Sequence, residues 1–332
     1  MSTIKFTALL LLSLFATQVS ADSSSKLSFD AELSQFPYPF KVDSFSLNSQ
    51  NQSLAMRYMD VGDQQSKKVI VLLHGKNFSG YYWEAIANDL MKAGYRVIIP
   101  DQIGFGKSSK PAYYQYSFSQ LATNTQSLLS SLNIKRYSVV GHSMGGMLAV
   151  TMAYQFADAV NRLILINPIG LEPYLDYVEY KDPGFFYQKE LGKTIGKIRN
   201  YQKKNYYAGK WSDDYEKLLT PYKGWLNGPD WKSVAWNNAL TYGPIFSEDI
   251  TPKLKKLTQP TYFIIGTRDT TGPGRGWKKP GITHKLGQYN KLGKTASAMV
   301  KNATLLELPG LGHMPQYEDY EQFSAVFFPI LK

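Results

Sequence analysis

The stretch Arg136-Tyr137-Ser138-Val139-Val140-Gly141-His142-Ser143-Met144-Gly145-Gly146-Met147-Leu148-Ala149-Val150 decides how this chain is read. Arg136–Val140 reads as a strand, and the Ala-, Met- and Leu-rich run Met144–Phe156 reads as a buried helix. Between them, Gly141-x-Ser143-x-Gly145 supplies a turn too tight for side chains on its flanks. Such a strand–turn–helix lifts the Ser143 hydroxyl clear of a sheet, at a helix N-terminus whose N–H groups face developing negative charge. The five-residue pattern alone is common, because glycine and serine are common. The strand before it and the helix after it make it specific for a nucleophile.

Outward from this turn, short apolar runs alternate with amphipathic segments. Lys68–Leu73, Tyr95–Pro100, Arg162–Asn167, Thr261–Ile265 and Thr304–Leu308 read as strands. Tyr82–Ala93, Phe118–Leu132, a stretch near Gln288–Val300 and a last segment from about Glu318 read as helices. Continuous apolar strands separated by helices imply right-handed crossovers and a parallel sheet covered on both faces. Val42–Leu47 and Ala55–Val61 alternate apolar and polar residues and read as antiparallel strands at the sheet's edge. The alternation stops between about Leu171 and Ile250, where aromatics are dense, from Tyr174 to Trp236. We read residues 171–250 as a cap insertion, with 22–170 and 251–332 as the two parts of the core. The cap's aromatic residues either line an acyl pocket or form the insertion's own core.

His74-Gly75, Pro100-Asp101-Gln102-Ile103-Gly104-Phe105-Gly106-Lys107-Ser108 and the Ser143 turn together resemble the α/β-hydrolase family, over about Val42 to Leu331. The resemblance implies an α/β fold: a mostly parallel sheet with flanking helices and a mainly helical cap insertion. It also implies a triad in the chain order serine, acid, histidine. Asp269, after the strand Thr261–Arg268, matches the family's acid position, and His313 in Pro309-Gly310-Leu311-Gly312-His313 matches its histidine loop. Of the 4 histidines, His74 matches the pair that shapes the oxyanion loop, His142 should point away from the triad, and His284 lies in a Lys/Gly-rich, solvated segment. His313 is therefore the expected base. The oxyanion donors expected from the resemblance are the backbone N–H of Met144 and of Lys76, with Asn77 as runner-up for the second. Asp101 is expected to fix loop geometry beside the site.

A serine at 143 suits attack on a carbonyl through an acyl-enzyme, whereas an aspartate there would suit epoxide or haloalkane chemistry. The resulting expectation is a carboxylesterase or lipase-like hydrolase acting on a small ester with an apolar acyl part. The alternatives are a carbon–carbon hydrolase or acyltransferase with the same triad, or a non-catalytic ligand-binding relative. No cofactor is expected. No metal cluster is expected either, with histidines this sparse and 0 cysteines. Nothing resembles a nucleic-acid module.

The N-terminus carries Lys5, an apolar run Phe6–Ala16 and the small-residue pattern Val19-Ser20-Ala21. The run is shorter than the roughly 20 residues a membrane span needs. This order of features is that of a secretory signal peptide over residues 1–21, cleaved near Ala21. The expected location is periplasmic or secreted, as a soluble protein. Asn51, Asn77 and Asn302 match the glycosylation pattern, which means nothing in a bacterial exported protein. The net charge of +11 is high. Lys189, Lys193 and Lys197 repeat at helical spacing, with Arg199, Lys203 and Lys204 behind them. That stripe reads as a solvated helix face, with weak contact to an anionic membrane surface or an anionic substrate as the alternative.

Overall fold

The computed structural model describes residues 26–331; the expected signal peptide lies outside the described residues. Eight strands form one sheet: β1 (Asp43–Ser49), β2 (Gln52–Val61), β3 (Val69–Leu73), β4 (Arg96–Pro100), β5 (Tyr137–His142), β6 (Val160–Ile166), β7 (Thr261–Gly266) and β8 (Ala303–Leu308). Their order is β1-β2-β4-β3-β5-β6-β7-β8. β2 runs antiparallel to both β1 and β4, and all other neighbours pair in parallel. The chain thus has the mostly parallel sheet expected of it, with the antiparallel pair at one edge.

The continuous apolar strands are explained by burial on two sides. Successive residues of β3 alternate between two cores: Val69, Val71 and Leu73 face one, Ile70 and Leu72 the other. β6 divides likewise, Leu163 and Leu165 from Ile164 and Ile166. The first core is covered by α2 (Phe118–Ser131) and α3 (Met144–Gln155), through Leu121, Leu128, Met147 and Leu148. The second is covered by α1 (Glu84–Lys92) and a C-terminal helix (Tyr320–Phe327), through Ile86, Leu90, Phe323 and Phe327. α3 buries every residue from Met144 to Ala153, so it has no polar face to show.

Between β6 and β7 the described chain is helical and contains no strand: α4 (Tyr174–Tyr177), α5 (Pro183–Leu191), α6 (Ile195–Asn205), α7 (Asp213–Lys217), α8 (Thr220–Asn227), α9 (Trp231–Leu240) and α10 (Tyr242–Ser247), followed by a short turn of helix, Thr251–Leu254, that leads into β7. Helices α4 to α10 sit over the carboxyl end of the sheet. The cap also recruits two segments that sequence reading gave to the core. Residues 272–279 fold back on it, with a bridge between Val178 and Lys278 and with Trp277 packed on Phe185, Phe186 and Phe246. The N-terminal stretch packs there too. Phe29 and Leu33 share a small core with Ile198, Leu219, Tyr222, Trp225 and Val234. Phe29 N–H donates to Gly224 O at 3.0 Å. A Cβ on Gly224 would lie 1.9 Å from the Phe29 ring, so the ring occupies the space a larger residue would need. Trp225 Nε1 donates to Asp30 O at 3.1 Å, and Asn227 Nδ2 to Leu27 O at 3.0 Å.

Candidate active site

Ser143 stands between β5 and α3 with φ 56° and ψ −119°, a backbone region that side-chain-bearing residues rarely enter. The flanking glycines make this possible. A Cβ on Gly141 would lie 2.2 Å from Gly145 O, and one on Gly145 2.2 Å from Leu73 O. The strained turn points the hydroxyl away from the strand ends and leaves Ser143 only 6% exposed.

Asp269 follows β7 and His313 follows β8, so both arrive on the same rim of the sheet as Ser143. The structure brings the three together. His313 Nε2 lies 2.9 Å from Ser143 Oγ, and His313 Nδ1 lies 2.7 Å from Asp269 Oδ2. Asp269 Oδ1 accepts the Thr271 N–H at 2.7 Å. Burial alone would raise the Asp269 carboxyl, but the electrostatic pairing with His313 and the hydrogen bonds from His313 and Thr271 outweigh it. The group is held below the usual carboxylate range. An ionised Asp269 fixes the Nδ1–H tautomer of His313 and leaves Nε2 free to take the serine proton.

In the sequence Asn167 reads only as the end of a strand. It follows β6, is fully buried, and donates from Nδ2 to Asp269 Oδ2 at 2.9 Å. Its Oδ1 accepts the Gly266 N–H at 2.9 Å, so the side chain is locked from both ends. Its signal in the sequence was a polar residue at the carboxyl end of an otherwise apolar central strand. The His313 loop is braced as well: Glu318 accepts the Gly312 N–H at 2.6 Å and pairs with Arg268.

The remaining histidines depart in part from the sequence reading. His142 does not face the nucleophile, yet it does not simply turn away. Its Nε2 donates to the backbone carbonyl of His313 at 2.8 Å, and its Nδ1 lies 3.1 Å from the Tyr82 hydroxyl. Burial, reinforced by the nearby His313, pushes its pKa down to about 3, so it stays neutral and acts as a fixed strut for the His313 loop. His74 is also buried; its Nε2 accepts the Gln102 N–H at 3.1 Å and ties two loops together. His284 keeps a partly exposed side chain, as expected, but it is not free of the protein. It stacks on Tyr177 with ring centroids 4.1 Å apart and meets the buried Glu172 carboxylate at 2.7 Å. Asp101 accepts from Gly80 N–H at 2.6 Å, Lys107 N–H at 2.7 Å and the Tyr38 hydroxyl at 2.6 Å, a set of bonds that shapes the loop.

In the loop after β3, the Gly75 N–H is taken by the Tyr82 hydroxyl at 3.2 Å and the Phe78 N–H by Gly75 O at 3.2 Å. Among the described residues no hydrogen bond takes up the N–H of Lys76 or Asn77, nor that of Met144, the first residue of α3. The Asn77 side chain donates to the Tyr206 hydroxyl at 3.0 Å, and the Tyr206 ring lies 4.8 Å from that of His313, so the cap touches the triad directly.

Ser143 opens into a cavity of about 420 Å³ between sheet and cap, walled by rings that include Phe186, Tyr201, Tyr242, Phe246 and Trp277. The cap aromatics therefore divide: these rings line the cavity, Trp225 helps build the small core around Phe29, and Tyr222 belongs to both. Lys189 and Lys197 are exposed, as a solvated face requires, but the stripe does not lie on one helix. The helix breaks at Gly192–Thr194, placing Lys189 on α5, Lys193 in the turn and Lys197 on α6, and all three line the cavity. Lys203 and Lys204 remain exposed at the end of α6.

Residues 68–320 match a family model described as alpha/beta hydrolase fold. The chain is similar to a probable hydrolytic enzyme of known crystal structure from Pseudomonas aeruginosa PAO1. That match has 41% identity and a TM-score of 0.89, over 92% of this chain and 99% of that one. It is also similar to a proline iminopeptidase from Lactobacillus helveticus, at 23% identity over 81% of this chain and 91% of the relative. A probable lysophospholipase from Arabidopsis thaliana is 31% identical over 37% of this chain and 27% of the relative. The alignments to the first curated relatives span 27% to 40% of those relatives' own length.

Proposed function

The chain belongs to the α/β-hydrolase fold family, and from that premise we propose that it is a serine hydrolase cleaving a carboxylic ester through an acyl-enzyme on Ser143. The observation that carries this reading is the chain of short contacts from Ser143 Oγ to His313 Nε2, 2.9 Å, and from His313 Nδ1 to Asp269, 2.7 Å, at the floor of a largely apolar cavity. His313 takes the proton of Ser143 as its oxygen attacks the carbonyl, and returns it to the departing alcohol. Asp269, held by Asn167 and Thr271, stabilises the imidazolium that forms between these two steps. The oxyanion is received by the N–H of Met144 and that of Lys76, both without another acceptor among the described residues. Water then repeats the sequence on the acyl-enzyme. We further propose export: Lys5, the apolar run Phe6–Ala16 and Val19-Ser20-Ala21 support cleavage near Ala21.

A fluorophosphonate probe should label Ser143, and a panel of p-nitrophenyl esters from acetate to palmitate should be turned over. Ser143→Ala should abolish labelling and lower kcat by roughly three orders of magnitude or more. An absence of labelling on the folded wild type would refute a catalytic role altogether and leave ligand binding under the cap. Labelling without turnover of any ester would move amide, carbon–carbon or acyl-transfer chemistry ahead.

A further inference from the structure

The cavity above Ser143 carries more positive charge than an apolar ester calls for. Six charged residues line it, the cations Lys76, Lys189, Lys193, Lys197 and Arg275 and the single acid Glu190. That acid is already committed: Glu190 pairs with Lys193 at 2.7 Å. Lys76 is left over. It is 8% exposed, and its Nζ lies 4.3 Å from the centroid of the Tyr242 ring and 5.6 Å from that of Phe105. No hydrogen bond or ion pair engages this nitrogen among the described residues. Aromatic faces offset part of the cost of burying an ammonium, but they do not replace an acceptor. Burial accordingly drives the Lys76 pKa down to about 7, with Lys193 pushing the same way and Glu190 opposing. An anion entering the cavity would supply the acceptor that the protein withholds.

We infer that the substrate of this site carries an anionic group, a carboxylate or a phosphate, on the part that enters the cap, and that Lys76 Nζ receives it. The inference deepens the ester-hydrolase reading and rests on it. Lys189, Lys197 and Arg275, on elements that border the cavity, favour the approach of such a substrate. Lys193 adds to the field inside while keeping Glu190 neutralised. The apolar rings then hold the aliphatic stretch between the anion and the scissile carbonyl.

The test compares matched esters on the full-length protein at low ionic strength. One pair puts the anion on the acyl side, p-nitrophenyl hemiglutarate against p-nitrophenyl butyrate. The other puts it on the alcohol side, butyryl glycerophosphate against monobutyrin. Wild type should favour the anionic member of at least one pair by about tenfold in kcat/KM, and the favoured pair gives the combination of anion and ester side that the site takes. Lys76→Met should reduce that ratio to about twofold or less. The ratio is read within one variant, so a general loss of rate from a disturbed oxyanion loop cancels. Neutral esters turned over with no anionic preference in either pair would overturn the inference while leaving the hydrolase reading intact, as would a ratio unchanged in Lys76→Met. Should no ester react while the probe still labels Ser143, the ester reading fails instead. Protection of Ser143 from the probe by glutarate or glycerophosphate would then still support the anion site, and its absence would refute it. The same protection measured on wild type serves if Lys76→Met does not fold.

Discussion

The floor and the roof of the cavity follow different rules. On the floor, Ser143, His313, Asp269 and Asn167 stand at the ends of neighbouring parallel strands, and each is held by short hydrogen bonds that terminate on backbone or on one another. On the roof, aromatic rings from α5, α6 and α10 and from residues 272–279 pack by shape, and the ammonium of Lys76, reaching up from the loop after β3, meets them without an acceptor. A floor whose nucleophile, base and acid are all held by hydrogen bonds has one geometry and suits a fixed reaction. A roof held by ring packing, with Gln202 Oε1 and Trp277 Nε1 left without partners among the described residues and Lys76 Nζ beneath it likewise, suits a choice among substrates.

The comparison is broken most severely by Asp269→Asn. That change keeps the shape but offers His313 the wrong partner for its Nδ1–H, and kcat should fall by about 10⁴-fold in ester hydrolysis at neutral pH. Asn167→Ala comes next. It removes one donor to a buried carboxylate and should cost about 1.5–3 kcal/mol in transition-state stabilisation, read as roughly 10- to 100-fold in kcat. Either variant retaining full activity would show that the floor is not what sets the chemistry.

The roof should respond through selectivity and at smaller magnitude. Lys76 is charged below about 7 and neutral above it in the empty cavity. The groups facing it are Glu190, which favours the charged form, Lys193, which opposes it, and the Tyr222 and Tyr242 hydroxyls, which burial keeps neutral. Any preference for an anionic ester should therefore decline as pH rises from about 6 to about 9, a few-fold change measured as the ratio of kcat/KM for matched esters. A ratio that rises with pH would contradict the assignment. The smallest effect on chemistry is expected from Phe29→Ala, far from the triad. It should destabilise the cap core by about 3 kcal/mol, seen as a lower Tm, and leave the rate of Ser143 labelling by a small fluorophosphonate within about twofold.

The same division governs what the sequence discloses. β5, the Ser143 turn and α3 are contiguous, so the most local feature of the site is also the most legible. Asp269 and His313 are separated from it by more than a hundred residues, yet each follows an apolar run that must be a strand, and parallel strands deliver their ends to one rim. Asn167 obeys the same logic, but an asparagine before a proline reads equally well as a turn. The roof disclosed much less. Lys189, Lys193 and Lys197 keep helical spacing across a break that only Gly192 and Thr194 signal, and Thr194 caps the new helix by accepting the Lys197 N–H. The contacts of His284 with Glu172 and of Phe29 with Gly224 join residues 112 and about 195 positions apart, which no local pattern records.

Phe29 and its neighbours also bear on the order in which the molecule is assembled. Residues 27–33 reach a ribosome exit long before Gly224, Trp225 and Asn227, the groups that hold them. Contacts this distant along the chain close late, because the loop between them must first lose its freedom. The cap's small core therefore cannot be completed until about two-thirds of the chain has been made, whereas β3, β4 and β5 can pair with one another by His142. The earliest described residues to be synthesised are among the last to be seated.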